Sequence, residues 1–375
     1  MEAEKKHILI ISGPMGNGHI QAAAGIEAWA KEEFQDYRVT NINIADIMWK
    51  IYSLFYAKLY KFLISYYPRG WEDIYSHNDR PDNFMSGIES KLRIMTARPL
   101  LKEIKKLKPD FIISTHFLPP EILNEEKKRG RLDIPVASVV TDFSLNRIYV
   151  QPYMDYFFVA SDELKFRLQK EGIPEGKIYV TGIPVKPEFD RIPSPEEKAK
   201  IKEDLGIDKD AIVVLLMMGG DSKGVLYKLC QLLLDNFDEL VFIALPGKNK
   251  PLLAKLEKLK ESHQDRLLPV GFTKDVWRYM AASSIVVSKP GGISTSECLA
   301  MMLPMVIMYP IPGQEERNTD YLLDIGVASK AYDEIALLYK KVFLTPERVE
   351  YMRECIEQVR KPRAGYEILK TVIGE

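Results

Sequence analysis

Short apolar runs, each separated from the next by enough chain for a helix, recur along the whole sequence. This rhythm restricts the fold more than any other feature. HILIIS (7–12), YRVTNINI (37–44), DFIIS (110–114), IPVASVV (134–140), DYFFVAS (155–161) and KIYV (177–180) are short, β-branched or aromatic, and bounded by turn residues, as strands are. The stretches between them fit crossover helices, which implies a mostly parallel sheet covered on both faces. TGIPVKPEFDRIPSPEE then brings prolines at 184, 187, 193 and 195 and reads as a linker rather than an element. The alternation restarts with AIVVLLM (211–217), ELVFIAL (239–245), RLLPV (266–270), SSIVVS (283–288) and PMVIMYP (304–310). The expected fold class is α/β: two doubly wound domains in tandem, with a ligand cleft where the carboxyl ends of both strand sets face each other. The boundary falls near residues 186 and 187, giving domains 1–186 and 187–375. The final segment, Pro346 to Glu375, reads as helical, and the sequence leaves open whether it packs back on the first domain.

Bulk composition excludes several classes. With 375 residues and a formal net charge of -1, nothing draws the chain globally to nucleic acid. Its three cysteines, Cys230, Cys298 and Cys355, are odd in number and scattered, so neither a disulfide framework nor a zinc site is expected. The N-terminus enters a strand at once without a signal-peptide pattern, and no run of eighteen apolar residues exists to span a bilayer. A cytoplasmic protein is the expectation.

Local charge says more. From Met48 to Lys108 there are eight Lys and four Arg against six acids, a net of +6, and Trp49 to Tyr75 holds ten aromatics. Between Ile47 and Ile64 the apolar residues recur close to helical spacing, with lysines interspersed. One reading is a core helix beside a solvated one. The other is a helix lying in the interface of an anionic membrane, with Trp49, Lys58 and Lys61 at the surface, joined by a second basic run, LLKEIKKLK (100–108), that brings Lys105 and Lys106.

Three motifs carry chemistry. In "ISGPMGNGHIQAAAGIEAW" a strand ends in a turn holding Gly13, Gly16 and Gly18, and His19 sits where the helix begins. The glycine order is a poor match to a dinucleotide fingerprint. The positive end of a helix dipole keeps an imidazole neutral, the state a general base requires. A packing histidine in a tight turn is the bland alternative. In "SKPGGISTSECLA" a strand runs into Pro290-Gly291-Gly292 and a helix opens with Ser294-Thr295-Ser296. Backbone amides there suit a diphosphate, and Glu297, expected in the first turn, would either complement the dipole or accept a ribose diol. In "YPIPGQEERNTDYLLD" a rigid turn is followed by Gln314, Glu315 and Asn318, placed for sugar hydroxyls or for a capping box.

Taken together, "GPMGNGHIQAA", "SVVTDF", "TGIPV" and "SKPGGISTSECLAMMLPMVIMYPIPGQEERNTDYL" resemble the monogalactosyl- and glucosyl-diacylglycerol synthase family, from about Ile8 to Asp324. Members are inverting glycosyltransferases of two Rossmann-like domains (the GT-B fold), related to the N-acetylglucosaminyltransferase of the peptidoglycan lipid intermediate. The resemblance implies a C-terminal domain holding a UDP-sugar as co-substrate. Gly291 and Gly292 would take the diphosphate with Ser294 among the UDP-sugar contacts, Glu297 the ribose, Gln314 and Glu315 the hexose with Asn318 beside them, Gly219 and Gly220 the phosphates from across the cleft, and backbone groups near Phe272 the uracil. It implies an N-terminal domain for diacylglycerol or glycosyl-diacylglycerol, with His19 as base, Asp142 nearby, and Gly16, Gly18 and His116 in the acceptor and phosphate vicinity. Relatives often carry histidines after TDF, where this chain has Asn146 and Gln151, so roles are carried no further than Asp142. No cofactor or metal is implied; the only Asp-x-Asp, Asp208 to Asp210, reads as a surface turn. The product would be membrane glycolipid, and the protein would be peripheral on the inner face of the cell membrane. A UDP-sugar 2-epimerase and a non-catalytic lipid-binding protein are the alternatives.

Overall fold

The structure, a computed structural model, describes residues 5–13, 17–47, 86–218, 224–263, 265–340 and 345–374. Its first sheet is built on β1 (His7–Ser12), every residue of which is buried. An apolar run without polar alternation needs cover on both faces, and β1 has it. In spatial order β2-β1-β3-β4-β5-β6, the sheet adds β2 (Arg38–Asn43), β3 (Phe111–Ser114), β4 (Val136–Val139), β5 (Tyr156–Val159) and β6 (Ile178–Val180). Every pairing is parallel. Among the described residues the helices of this half are α1 (Gly18–Glu33), α2 (Ile44–Ile47), α3 (Ser86–Leu107), α4 (Leu118–Lys128) and α5 (Asp162–Lys170).

The second sheet is again wholly parallel, in the order β12-β11-β10-β7-β8-β9. Its strands are β7 (Ile212–Met217), β8 (Leu240–Gly247), β9 (Leu267–Gly271), β10 (Ile285–Ser288), β11 (Met305–Ile307) and β12 (Ala328–Lys330). The helices of this half run from α6 (Pro195–Asp204) through α7 (Val225–Asn236), α8 (Lys250–Lys260), α9 (Val276–Ala282), α10 (Gly292–Ala300) and α11 (Gln314–Asp324) to α12 (Glu334–Lys340), α13 (Pro346–Val359) and α14 (Ala364–Ile373). Among the described residues, eleven of the twelve strands coincide with apolar runs in the sequence. The exception is β12, a three-residue edge strand of Ala, Ser and Lys that carries no apolar pattern.

Strand order reverses beside β1 and β3 in the first sheet and beside β7 and β10 in the second. A parallel α/β sheet opens a crevice at such a point, beyond the carboxyl ends of its strands. His19 at the start of α1, His116 after β3 and Pro290 after β10 all lie there.

The stretch expected to be a plain linker is packed. Ile183, Val185 and Phe189 are buried, and Pro187–Phe189 form a short 3-10 turn. Ser194 closes a capping box with Glu197 at the start of α6. The chain also crosses back: Ile368, Leu369 and Val372 of α14 share a core with Ile8, Ile10, Ile26 and Trp29. Gly365 lets α14 sit directly on the Trp29 ring, where a Cβ would overlap it. Trp29 Nε1 in turn donates to the Val185 carbonyl at 3.0 Å.

Candidate active site

His19 is the second residue of α1 and is buried. Its Nδ1 lies 2.6 Å from the carbonyl oxygen of Thr115 and 2.9 Å from Thr141 Oγ1. A carbonyl only accepts, so Nδ1 carries the proton and Nε2 is left with the lone pair. The Thr115 hydroxyl donates to the His19 carbonyl at 2.7 Å, locking the first turn of α1 to the end of β3. Burial holds the His19 pKa below the ordinary histidine value, against the pull of Asp142 and of the Thr115 carbonyl. The ring is therefore neutral with a basic Nε2.

His116 lies edge-on to His19, with ring centroids 4.8 Å apart. Its Nδ1 accepts from the Leu118 amide at 3.2 Å, and Nε2 is buried without a partner among the described residues. Burial first, and His19 second, hold its pKa well below the usual value. A ring whose Nδ1 accepts and whose proton sits on Nε2 cannot serve as base there. Gly13 is packed against this ring so closely that a Cβ would overlap it, which accounts for the first glycine of the turn.

Asp142 follows β4 and is buried. Burial raises its pKa, while hydrogen bonds from Gln314 and Asn318 and the nearness of His19 pull it down. Both donors come from the other domain. Gln314 Nε2 is 2.7 Å from each Asp142 oxygen. Asn318 has both ends of its amide in use, Oδ1 accepting from the Phe143 amide at 3.1 Å and Nδ2 donating to the Pro290 carbonyl at 3.0 Å. Asn318, expected beside the sugar, is thus a fully buried clamp across the seam.

On the C-terminal side α10 starts at Gly292, two residues before the expected Ser294, with Gly291 as its N-cap. Glu297 therefore falls in the second turn, not the first, and dipole complementation does not explain it. The amides of Gly292, Ile293 and Ser294 have no partner among the described residues, as the opening of a helix requires. Gly292 is a glycine for a reason that the sequence did not disclose: a Cβ there would collide with the Thr141 carbonyl oxygen. Burial pushes the Glu297 pKa up to about 8, with Lys186 opposing and Glu188 adding to the rise. Glu315 accepts from the Ile311 amide at 2.7 Å, and its other oxygen faces Gly291. Burial raises its pKa too, with the Ile311 amide and Lys289 opposing and Asp142 adding to the rise.

The structure thus brings together His19, His116, Asp142, Gly18, Gly291, Gly292, Gln314, Glu315 and Asn318; Gly18 faces Ile293 across the seam. Phe272 stands apart at the end of β9, exposed, with Lys248 Nζ 4.8 Å from its ring centroid. Gly16, Trp49, Lys58, Lys61, Gly219 and Gly220 lie outside the described residues. Lys105 and Lys106 are exposed in the last turn of α3, Lys106 paired with Glu103 at 2.9 Å. Sequence reasoning missed Thr115 and Thr141, both polar residues at strand ends beside the histidine. That position was the available signal.

Two Rossmann-like sheets with their switch points facing one seam define the GT-B class. In fold alone the chain is similar to S. aureus MnaA in complex with UDP (TM-score 0.64, 16% identity, 98% of this chain and 96% of that one). It is similar in the same way to MurG of Acinetobacter baumannii (TM-score 0.61, 11% identity, 99% and 100%). Residues 19–185 match the model of the family described as Monogalactosyldiacylglycerol (MGDG) synthase. Over essentially its whole length the chain aligns with proteins named processive diacylglycerol beta-glucosyltransferase. That of Staphylococcus saprophyticus is 28% identical (100% of this chain, 94% of the relative), and that of Bacillus pumilus 29% (99% and 95%).

The two histidines give a direct check. In an NMR titration across the range where an ordinary histidine protonates, near pH 6.5, His116 should stay neutral and His19 should begin to shift only on the acid side. An ordinary titration of His116 would contradict the burial and bonding described for it.

Proposed function

We propose that this chain is an inverting glycosyltransferase that moves a hexose from a UDP-sugar to diacylglycerol or a glycosyl-diacylglycerol, making membrane glycolipid. The observation that carries this is His19: a neutral imidazole, its tautomer fixed by the Thr115 carbonyl, with a basic Nε2 beside the seam between two domains. The names of the full-length relatives support diacylglycerol as acceptor and glucose as the sugar. Likeness in fold extends equally to a UDP-GlcNAc 2-epimerase of Neisseria meningitidis (TM-score 0.61, 14% identity), so the fold does not choose between transfer and epimerisation. The sequence relatives favour transfer.

In this reading His19 Nε2 takes the proton of the acceptor hydroxyl as its oxygen attacks the anomeric carbon. The bond from that carbon to the diphosphate breaks in the same step, and UDP leaves with the electron pair. The Asp142 carboxylate offsets the imidazolium charge. The open amides of Gly292, Ile293 and Ser294 offset the charge growing on UDP, so no metal is required, and turnover in EDTA is expected to persist. Glu297 takes the ribose diol and Glu315 the hexose. Among the described residues no helix is long and apolar enough to cross a membrane. The basic, aromatic segment of residues 48–108 would bring the protein to an anionic membrane surface on the inner face of the cell membrane.

His19→Ala should cut turnover about 10²–10⁴-fold, the range for loss of a general base, with UDP affinity nearly unchanged. UDP release by the wild type should require added diacylglycerol. Release without lipid, or equal loss of UDP affinity and turnover, would contradict the assignment.

Glu297 gives a pH test. With its pKa near 8 in the ligand-free protein, the carboxyl is mostly protonated at neutral pH, and only the ionised form accepts both ribose hydroxyls. UDP binding should therefore tighten as pH rises through 8. Glu297→Gln should flatten that dependence, and Glu297→Ala should weaken binding above pH 8 by about 1.5–3 kcal/mol. Calorimetry showing the same pH dependence in the wild type and Glu297→Gln would remove Glu297 from the ribose.

A further inference from the structure

Residues 141–143 touch the second domain one after another. The Thr141 carbonyl abuts Gly292, Asp142 takes the Gln314 amide, and the Phe143 amide donates to Asn318. The Phe143 ring also stacks on Tyr321, with centroids 5.4 Å apart at 17°. The same turn faces His19 on its other side, through Thr141 Oγ1 at 2.9 Å from Nδ1 and through the Asp142 charge. Gln314 is where the two sides meet. An ionised carboxylate only accepts hydrogen bonds, so the Gln314 nitrogen must be the end on Asp142. Its Oε1 has no hydrogen-bond partner among the described residues.

We propose that Gln314 is a positioning residue joining the two substrate domains: its Nε2 aligns the Asp142 carboxylate on His19, while its Oε1 accepts a hydroxyl of the donor sugar. This rests on the transferase reading with His19 as base. The family resemblance gives Gln314 the sugar alone; the link to Asp142 is what the geometry adds. The consequence is that the base is fully supported only while the donor domain is docked, which would discourage transfer to the wrong acceptor in an open cleft.

The groups bearing on Asp142 are His19 from α1, Gln314, Glu315 and Asn318 from α11, and, one step removed, His116 beside His19 and Lys289 beside Glu315. Gln314 is the one that bonds both carboxylate oxygens. Without it, burial would keep Asp142 protonated to higher pH, and the imidazolium would lose its counter-charge. The acidic limb of the rate profile, which belongs to the Asp142–His19 pair rather than to either group, would move upward.

The test is kcat and KM for the UDP-hexose against pH, for the wild type, Gln314→Glu and Gln314→Leu, with UDP affinity measured on each protein to show the donor domain intact. Gln314→Glu keeps an acceptor oxygen for the sugar but sets a second carboxyl against Asp142. Its acidic limb should move up by about one pH unit or more, with KM changed by less than about threefold. Gln314→Leu should move the limb and raise KM as well. In an Asp142→Asn background, neither substitution should move the limb further. Higher KM in both variants with the limb in place would overturn the proposal and leave Gln314 as a sugar ligand only. Wild-type turnover in His19→Ala, measured alongside, would overturn the base assignment itself and is a separate outcome.

Discussion

A buried carboxylate needs donors, and Asp142 finds them in the opposite domain. That constraint organises the rest. Gln314 donates to both carboxylate oxygens, Asn318 adds a further hydrogen bond and holds the neighbouring backbone, and Gly292 leaves room for Thr141 to reach the seam. Removing a partner from a buried charge costs far more than the pair contributes over an apolar isostere. The two domains are therefore tied at the residues proposed to perform the chemistry.

The parallel sheets make this meeting possible. Each sheet has a switch point, between β1 and β3 and between β7 and β10, and one short turn after β4 contacts both the histidine of α1 and the helix starts of α10 and α11. The crossing of α14 back onto Trp29 adds a second connection at the far side of the first domain. A rotation between domains would have to accommodate both.

The architecture was legible in the sequence because burial on two faces writes continuous apolar runs. HILIIS and IVVLLM could be little else than central parallel strands. β12 escaped because an edge strand of three residues buries too little to leave a pattern. At the site, His19 was readable from its place at a helix start after a glycine turn. Its tautomer was not, since that depends on the Thr115 carbonyl, 96 residues away in sequence. Likewise Gln314, Asn318 and Gly292 were picked out as ligand residues because glycines and amides after a strand signal binding. Sequence alone cannot tell an approach to a phosphate from an approach to another domain's carbonyl, because the demand for absent side-chain volume is the same.

Direct attack by a hydroxyl that His19 deprotonates has one unavoidable stereochemical result. A single displacement at the anomeric carbon inverts it, so a UDP-α-hexose must give a β-linked glycolipid. The anomeric proton coupling of the lipid product, formed by the purified protein from UDP-α-glucose and diacylglycerol and read by NMR, should be that of the β linkage. An α-linked product would contradict the account, because retention requires a route in which His19 is not the base for a direct attack.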